Sequence, residues 1–189
     1  MVFSVKDVKI AIFAGGCFWC LEELFDGVDG VLETCCGYTG GFTTNPTYES
    51  VSYGFTGHLE SVKVLYDASY LKYDKLLARY FLHIDPWDNQ GQFCDTGNQY
   101  RSAIFYTDMS QKMSASRWIE RIEGCSKRKV ETLLREAGVF YRAEEYHQCY
   151  YKKCPLEYAL YVASSGRREH ERRMKNLLIK CGFEASLFT

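Results

Sequence analysis

The chain has 189 residues, with 23 basic and 24 acidic side chains that leave a formal net charge of −1 at pH 7. The two signs are interspersed and no long stretch is purely apolar, so nothing in the sequence indicates a nucleic-acid partner or a membrane-spanning helix. With 47% hydrophobic residues, the chain is long enough to bury a full core, and we predict one folded domain over residues 1–189 that acts on a small molecule or a side chain.

Hydrophobic periodicity predicts alternating strands and helices in the first half of the chain. We expect a strand over 9–14, a helix over 18–25, a strand over 30–38, a loop over 43–46 and a strand over 58–66. Because side chains alternate along a strand, Glu60 lies on the same face as Val62 and Val64. A carboxyl group on such a face ought to be partly withdrawn from water, which favours its neutral form.

The second half continues the alternation. We predict a helix over 71–84, a loop over 87–97, a strand over 102–106, a helix over 110–123, a strand over 130–134 and helices over 143–152 and 167–180. The arginines of the last helix are typical of a solvated face. Together these elements predict an α+β fold, a single-domain mixed sheet with flanking helices.

Cysteine usage indicates the redox setting. Nine cysteines form an odd count in a chain that is not small, which favours reduced thiols in the cytoplasm over a disulfide framework. Charged residues interrupt the apolar run that a secretory signal would need near the N-terminus. We expect three of the cysteines to pack as small buried side chains: Cys35, Cys36 and Cys125.

The segment Gly15-Gly16-Cys17-Phe18-Trp19-Cys20 carries the strongest chemical signal. Cys17 follows a strand and opens a helix, where unpaired N–H groups and the positive end of the helix dipole stabilise a thiolate. The sequence therefore predicts a nucleophile with a lowered pKa. Of the two rings that follow it, Phe18 and Trp19, at least one is expected to line an apolar pocket beside the thiol.

Two other interpretations of this segment stay open. Cys17 and Cys20 have the spacing of a thioredoxin-like dithiol, although two large aromatic residues between the cysteines are unusual for that motif. The same pair has the spacing of half a zinc site, but no second closely spaced pair completes it, and we predict no metal.

Six motifs stand in order along the chain: GGCFW at 15–19, GYTGG at 37–41, NPTY at 45–48, TGHLE at 56–60, GNQYRS at 97–102 and EYHQ at 145–148. Together they resemble the A-type peptide methionine sulfoxide reductases over about residues 10–155. The resemblance implies a ferredoxin-like α/β sandwich, with a family core over 8–155 and a C-terminal extension over 156–189, and no cofactor.

The resemblance also implies the roles of the main site residues. Cys17 attacks the sulfur of a methionine sulfoxide, which releases methionine and leaves a cysteine sulfenic acid. Phe18 and Trp19 hold the methyl group of the substrate, and Glu60 donates a proton to the departing oxygen. The family acts on the S epimer at sulfur.

Three further residues complete the implied site. Tyr48 and Tyr100 donate hydrogen bonds to the sulfoxide oxygen, and Asp95 occupies the aspartate position of the family. The residues Phe93-Cys94 before Asp95 depart from the commoner family version, so the match at Asp95 is less secure than the match at Glu60.

Recycling of the enzyme needs a second thiol, because the sulfenic acid must condense to a disulfide before thioredoxin, the implied reductant, can reduce it. Many relatives carry this thiol in a C-terminal segment, but here residues 161–167 contain serines in its place. We prefer Cys154, because Pro155 is expected to leave it on a flexible turn. The full set of candidates is Cys154, Cys149, Cys20 and Cys181.

Overall fold

A six-stranded sheet forms the centre of the fold in the computed structural model, which describes residues 7–188. The prediction about a targeting signal falls partly on residues 1–6, outside the described residues. The first half of the chain forms β1 (Val8–Ala14), α1 (Phe18–Phe25), β2 (Val31–Thr39), α2 (Tyr48–Ser52), β3 (Leu59–Asp67) and α3 (Tyr73–His83).

The second half begins with a two-stranded hairpin, β4 (Gly91–Gln92) and β5 (Asp95–Thr96), within the predicted loop. It continues with β6 (Ala103–Tyr106), α4 (Met109–Ser126), β7 (Leu133–Glu136), β8 (Tyr141–Arg142), α5 (Tyr150–Lys153), α6 (Pro155–Ser165) and α7 (Arg167–Lys180). Short 3₁₀ helices cover Asn98–Tyr100, Glu145–His147 and Ala185–Phe188.

The strand order is β7-β6-β1-β3-β2-β8, and every neighbouring pair is antiparallel except β6 with β7. This arrangement confirms the predicted mixed sheet with flanking helices. Residues 11–14 of β1 are buried without alternation because both faces of the strand are covered: Ala11 and Phe13 belong to the larger core cluster, and Ile12 and Ala14 to a second one. None of the helices in the described residues is both long and apolar enough to cross a membrane.

The larger part of the core lies between the sheet and helices α1, α3, α4 and α7. Phe13 of β1 stacks on Phe25 and on Tyr80, with ring centroids 5.0 Å apart in each pair. The Tyr80 hydroxyl donates a hydrogen bond to the carbonyl of Ala14, 2.7 Å away, at the end of β1. This packing fixes the strand end from which the next turn departs.

The predicted helix over 143–152 is wrong. Its first part instead follows β8 and forms a 3₁₀ turn. The Gln148 side chain bonds the backbone N–H and carbonyl of Cys36, each at 3.0 Å, and so holds this segment against β2. Cys149 then adopts a left-handed conformation with φ 52°, which separates the turn from α5. A side-chain contact with a distant strand overrides the local helical pattern here.

The prediction that Pro155 leaves Cys154 on a flexible turn is also wrong. Pro155 begins α6, a helix that the sequence analysis missed, because proline is tolerated in the first turn, where its missing N–H has no partner to lose. Cys154 is therefore held between α5 and α6 and is partly buried.

Three predictions, for Cys125, Cys181 and Arg167, need correction. Cys125 was expected to be a free packing residue and Cys181 a free thiol, but the two form a disulfide that joins the end of α4 to the end of α7. Arg167 was assigned to a solvated face, yet it is only 1% exposed, because its guanidinium is buried against Asp95 of the β4–β5 hairpin. Cys35 and Cys36 are buried, as predicted.

Candidate active site

The turn between β1 and α1 places Cys17 at the end of a central strand and at the N-terminus of a helix, as predicted. Gly16 shapes this turn with φ +82°, and its N–H donates to the carbonyl of Tyr100 at 2.9 Å. A Cβ at this position would lie 2.5 Å from a guanidinium nitrogen of Arg167 and 2.9 Å from the Cβ of Gln92. Only glycine fits between these groups.

Asp95 of the β5 strand contacts the same helix start. Its Oδ2 atom accepts a hydrogen bond from the backbone N–H of Cys17 at 3.3 Å and another from the hydroxyl of Tyr161 at 2.5 Å. The same oxygen pairs with the guanidinium of Arg167 at 3.2 Å. The structure therefore brings Asp95 to Cys17. It also adds Tyr161 and Arg167, which the sequence analysis did not single out as site residues.

Glu60 of β3 lies on the other side of the same helix start. Its Oε2 atom accepts a hydrogen bond from the N–H of Phe18 at 3.1 Å, and the residue is only 2% exposed. Burial raises the pKa of Glu60 to about 8, and the charge of Asp95 adds to the rise, although the Phe18 hydrogen bond opposes it. At pH 7 the carboxyl group is thus mostly protonated and able to donate a proton.

The two thiols of the first helical turn interact directly. Burial, a hydrogen bond with Cys20 and the charge of Glu60 raise the pKa of Cys17 well above its usual value. The predicted lowering by the helix N-terminus is therefore wrong, because Cys17 is 7% exposed and faces negative groups. The hydrogen bond from Cys17, together with His83 and Arg167, instead lowers the pKa of Cys20.

Tyr48 and Tyr100 stand at the edge of this site. Burial, followed by the charge of Glu60, raises the pKa of both phenols, so both remain O–H donors at neutral pH. Tyr48 is held by Glu144, whose Oε1 accepts its N–H at 2.8 Å while Oε2 accepts the hydroxyl of Tyr38 at 2.8 Å. Glu144 is thus a supporting residue that the sequence analysis did not identify.

Aromatic rings form one wall of the site. Trp19 stacks on Tyr150 with ring centroids 3.8 Å apart, and its indole N–H donates to Nδ1 of His147 at 3.2 Å. Burial lowers the pKa of His147, which keeps the ring neutral and able to accept this bond. His147 also contacts the rings of Phe18 and Tyr48, with centroids 4.9 Å and 4.5 Å away. Phe18 itself is buried, so Trp19 is the more accessible ring.

The four candidate resolving thiols lie in different surroundings. Cys20 contacts Cys17. Cys149 lies against Glu22, whose Oε2 accepts its N–H at 2.7 Å, and Cys154 lies beside Tyr150. Cys181 is part of the disulfide. Within residues 7–188, no group of three or more histidine, cysteine or acidic side chains is arranged to hold a metal ion.

A buried thiol, a carboxyl group with a raised pKa and an aromatic wall thus meet at one helix N-terminus, which defines a candidate site for thiol chemistry. Residues 9–178 match the family model described as peptide methionine sulfoxide reductase, and the chain belongs to this family. It is accordingly an oxidoreductase that reduces methionine sulfoxide, of the A type that its relatives represent.

Individual relatives agree with this assignment. The chain is 47% identical over 161 residues to peptide methionine sulfoxide reductase MsrA of Bacillus licheniformis, covering 84% of this chain and 89% of that protein. The solved methionine sulfoxide reductase A of Corynebacterium diphtheriae is 34% identical with a TM-score of 0.70, covering 79% of this chain and 76% of that one. The reduced form of Mxr1 from Saccharomyces cerevisiae is 28% identical with a TM-score of 0.73, covering 79% of this chain and 87% of that one.

Proposed function

We propose that this protein reduces the S epimer of methionine sulfoxide, free or within proteins, through attack by Cys17 on the sulfoxide sulfur. One S–O bond breaks in the substrate and one forms at Cys17, so the substrate sulfur gains two electrons and the Cys17 sulfur loses two. Glu60 donates its proton to the oxygen as that bond breaks and takes the proton that the Cys17 thiol releases. The products are methionine and a sulfenic acid on Cys17.

The burial of the Glu60 carboxyl group beside Cys17, where it accepts the N–H of Phe18, is the observation that carries this proposal. A sulfoxide oxygen without a proton donor would have to leave as a strongly basic anion, and a carboxyl group with a pKa of about 8 supplies that proton at neutral pH. In this proposal Tyr48 and Tyr100 donate hydrogen bonds to the same oxygen, and Trp19 and Phe18 contact the substrate methyl group. Asp95 supports the site by fixing the backbone of Cys17.

Among the candidate resolving thiols we propose Cys20, which replaces the preference for Cys154. Cys20 lies one helical turn from Cys17, interacts with it directly, and is the thiol whose pKa is lowered. Its thiolate attacks the sulfenic sulfur, an S–S bond forms, the S–O bond breaks and water leaves with one added proton. The thiols of Cys149 and Cys154 contact Glu22 and Tyr150 instead.

We further propose thioredoxin as the reductant of this disulfide, acting in the cytoplasm. The yeast relative Mxr1 has been solved in complex with Trx2, which supports a partner of this kind. A dithiol protein supplies the two electrons and two protons that return Cys17 and Cys20 to thiols.

The test compares single serine variants of the candidate thiols under two reductants. We expect Cys20→Ser to lose turnover with thioredoxin while it still forms one methionine per chain without any reductant. Cys149→Ser and Cys154→Ser serve as matched controls and keep thioredoxin-dependent turnover. Peptide mapping of the oxidised wild type is expected to show a Cys17–Cys20 bridge, and a bridge from Cys17 to Cys154 instead would refute the assignment of Cys20.

A further inference from the structure

A second cluster of polar groups lies behind the thiol pair, between α1, α3 and α7. Cys20 is 1% exposed, and His83, the last residue of α3, is 6% exposed. Nδ1 of His83 lies 2.9 Å from Oε1 of Glu171 on α7. The sulfoxide reduction described above uses neither His83 nor Glu171, so their burial beside Cys20 needs its own explanation.

The free nitrogen of His83 is the informative atom. Its Nε2 is buried and has no conventional hydrogen-bond partner among the described residues, whereas the ring interacts with the thiol of Cys20. Because Glu171 holds Nδ1, the ring orientation is fixed, and Nε2 is the nitrogen that remains for another partner. A cysteine, a histidine and a carboxylate in this order resemble the arrangement that activates nucleophilic thiols.

The charges of the cluster agree with its geometry. Burial opposes protonation of His83, but the influence of the nearby Cys20 thiol and the Glu171 carboxylate outweighs it and raises the pKa of the ring. Arg167, buried beside the cluster, adds a fixed positive charge that favours a thiolate at Cys20. These charges favour transfer of the Cys20 proton to the imidazole.

A surface cavity of about 220 Å³ borders the cluster. Its lining includes Cys20, His83 and Glu171, together with Arg79 and Asp26. Neither Cys17 nor Glu60 belongs to this lining, so the cavity approaches Cys20 from a side other than the substrate site. It gives the imidazole a route for proton exchange with solvent that does not pass through the sulfoxide site.

We propose that His83, oriented by Glu171, is the acid–base partner of Cys20 in the resolving step. His83 takes the proton of the Cys20 thiol; the Cys20 thiolate attacks the sulfenic sulfur of Cys17; an S–S bond forms as the S–O bond breaks. The proton held by His83 is returned, directly or through solvent in the cavity, to the hydroxide that leaves as water. Glu171 is a positioning residue, since it acts only through His83. The proposal rests on the assignment of Cys20 as the resolving thiol.

The pH dependence of this step separates an acid–base role from a structural one. The titratable and charged groups that face Cys20 and His83 are Cys17 and Glu23 of the α1 region, Asp26 after it, Glu60 of β3, Arg79 of α3, Tyr158 and Tyr161 of α6, and Arg167, His170 and Glu171 of α7. Of the two histidines in this set, His83 and His170, His83 is the one that influences the pKa of Cys20.

The experiment follows single turnovers without reductant, recording methionine release and, by dimedone trapping, the lifetime of the sulfenic acid. In the wild type we expect the rate of disulfide formation to be nearly flat between pH 6 and 8. In His83→Gln we expect it to fall by about 10²-fold at pH 7 and to rise about tenfold per pH unit, as an unassisted thiol requires. Glu171→Gln is expected to show a smaller change in the same direction.

Methionine release is the internal control, and it is expected to change less than about threefold in His83→Gln, because the first step does not use this residue. His170→Gln is the matched variant, since this neighbouring histidine bonds the carbonyl of Ile84 instead. A His83→Gln rate and pH profile equal to those of the wild type would refute the proposal. If His83→Gln does not fold, the wild type alone tests the proposal: a rate of disulfide formation that rises tenfold per pH unit would refute it. Absence of methionine release from the wild type would instead refute the proposed function.

Discussion

The substitution Glu60→Gln tests the chemistry and the electrostatics of the site together. Glutamine keeps the size of the side chain and an oxygen that can accept the N–H of Phe18, but it has no proton to donate to the sulfoxide. Proton donation by a placed side chain contributes about 10²–10⁴ in rate, so kcat/KM at pH 7 is expected to fall by that factor, or about 3–5 kcal/mol.

The same substitution has the opposite effect on stability at high pH. The pKa of Glu60 rises from 4.5 to about 8 on folding, mainly through burial. Between these pH values the folded chain keeps a proton that the unfolded chain has released, so the free energy of unfolding falls as the pH rises through this window. The full loss is at most about 5 kcal/mol, from 3.5 pKa units at 1.36 kcal/mol each. Glu60→Gln removes this loss and is expected to be more stable than the wild type at pH 9.

The assays are steady-state reduction of methionine sulfoxide with dithiothreitol and urea unfolding at pH 5, 7 and 9. Wild-type kcat/KM is expected to decline above pH 8, and the residual activity of the variant to lack that decline. Glu22→Gln is the matched control, a buried carboxyl on α1 that bonds Cys149 and has no part in the proposed chemistry. A variant that keeps more than about a tenth of wild-type activity, or that is less stable than the wild type at pH 9, would refute the reasoning.

Three further predictions concern the support of the site. Asp95→Asn leaves the buried guanidinium of Arg167 without its carboxylate. We expect the free energy of unfolding, measured in urea, to fall by about 3–5 kcal/mol. An unchanged unfolding midpoint would show that the ion pair does not stabilise the fold. Trp19→Ala removes the accessible ring of the aromatic wall, and KM for methionine sulfoxide is expected to rise about 10- to 100-fold, from the 1.5–3 kcal/mol of a buried apolar side chain, with a smaller change in kcat. If kcat fell and KM stayed constant, the ring would act in the chemical step instead. Replacing both Cys125 and Cys181 with alanine opens a loop of 56 residues and is expected to cost about 4 kcal/mol in the oxidised protein, measured by urea unfolding, whereas no loss would mean that the bridge does not form in solution.

The sequence predicts the local parts of the site well. The strand and helix that flank Cys17 lie where the periodicity places them, and the alternation along β3 correctly indicates that Glu60 is buried with Val62 and Val64. Both predictions depend on patterns within a few residues, which is the range over which hydrophobic periodicity is informative.

Long-range contacts account for what the sequence analysis missed. The helix dipole argument for Cys17 is local, and it fails because the pKa depends on burial and on Glu60 and Cys20 in the folded chain. Arg167 belongs to an arginine-rich helix that indicates a solvated face, and only the packing of α7 against the β5 hairpin buries it on Asp95. The packing of α7 on α3 brings Glu171 to His83, and this long-range contact has no local signal in the sequence.

The central claim is that Cys17 reduces methionine sulfoxide with S selectivity. Its most direct test measures the consumption of resolved S and R methionine sulfoxide by the wild type and by Cys17→Ser, with dithiothreitol as reductant so that recycling is not limiting. We predict that the wild type consumes the S epimer and that Cys17→Ser consumes neither. Wild-type protein that leaves both epimers intact but reduces the disulfides of insulin would contradict the account and would indicate a dithiol oxidoreductase instead.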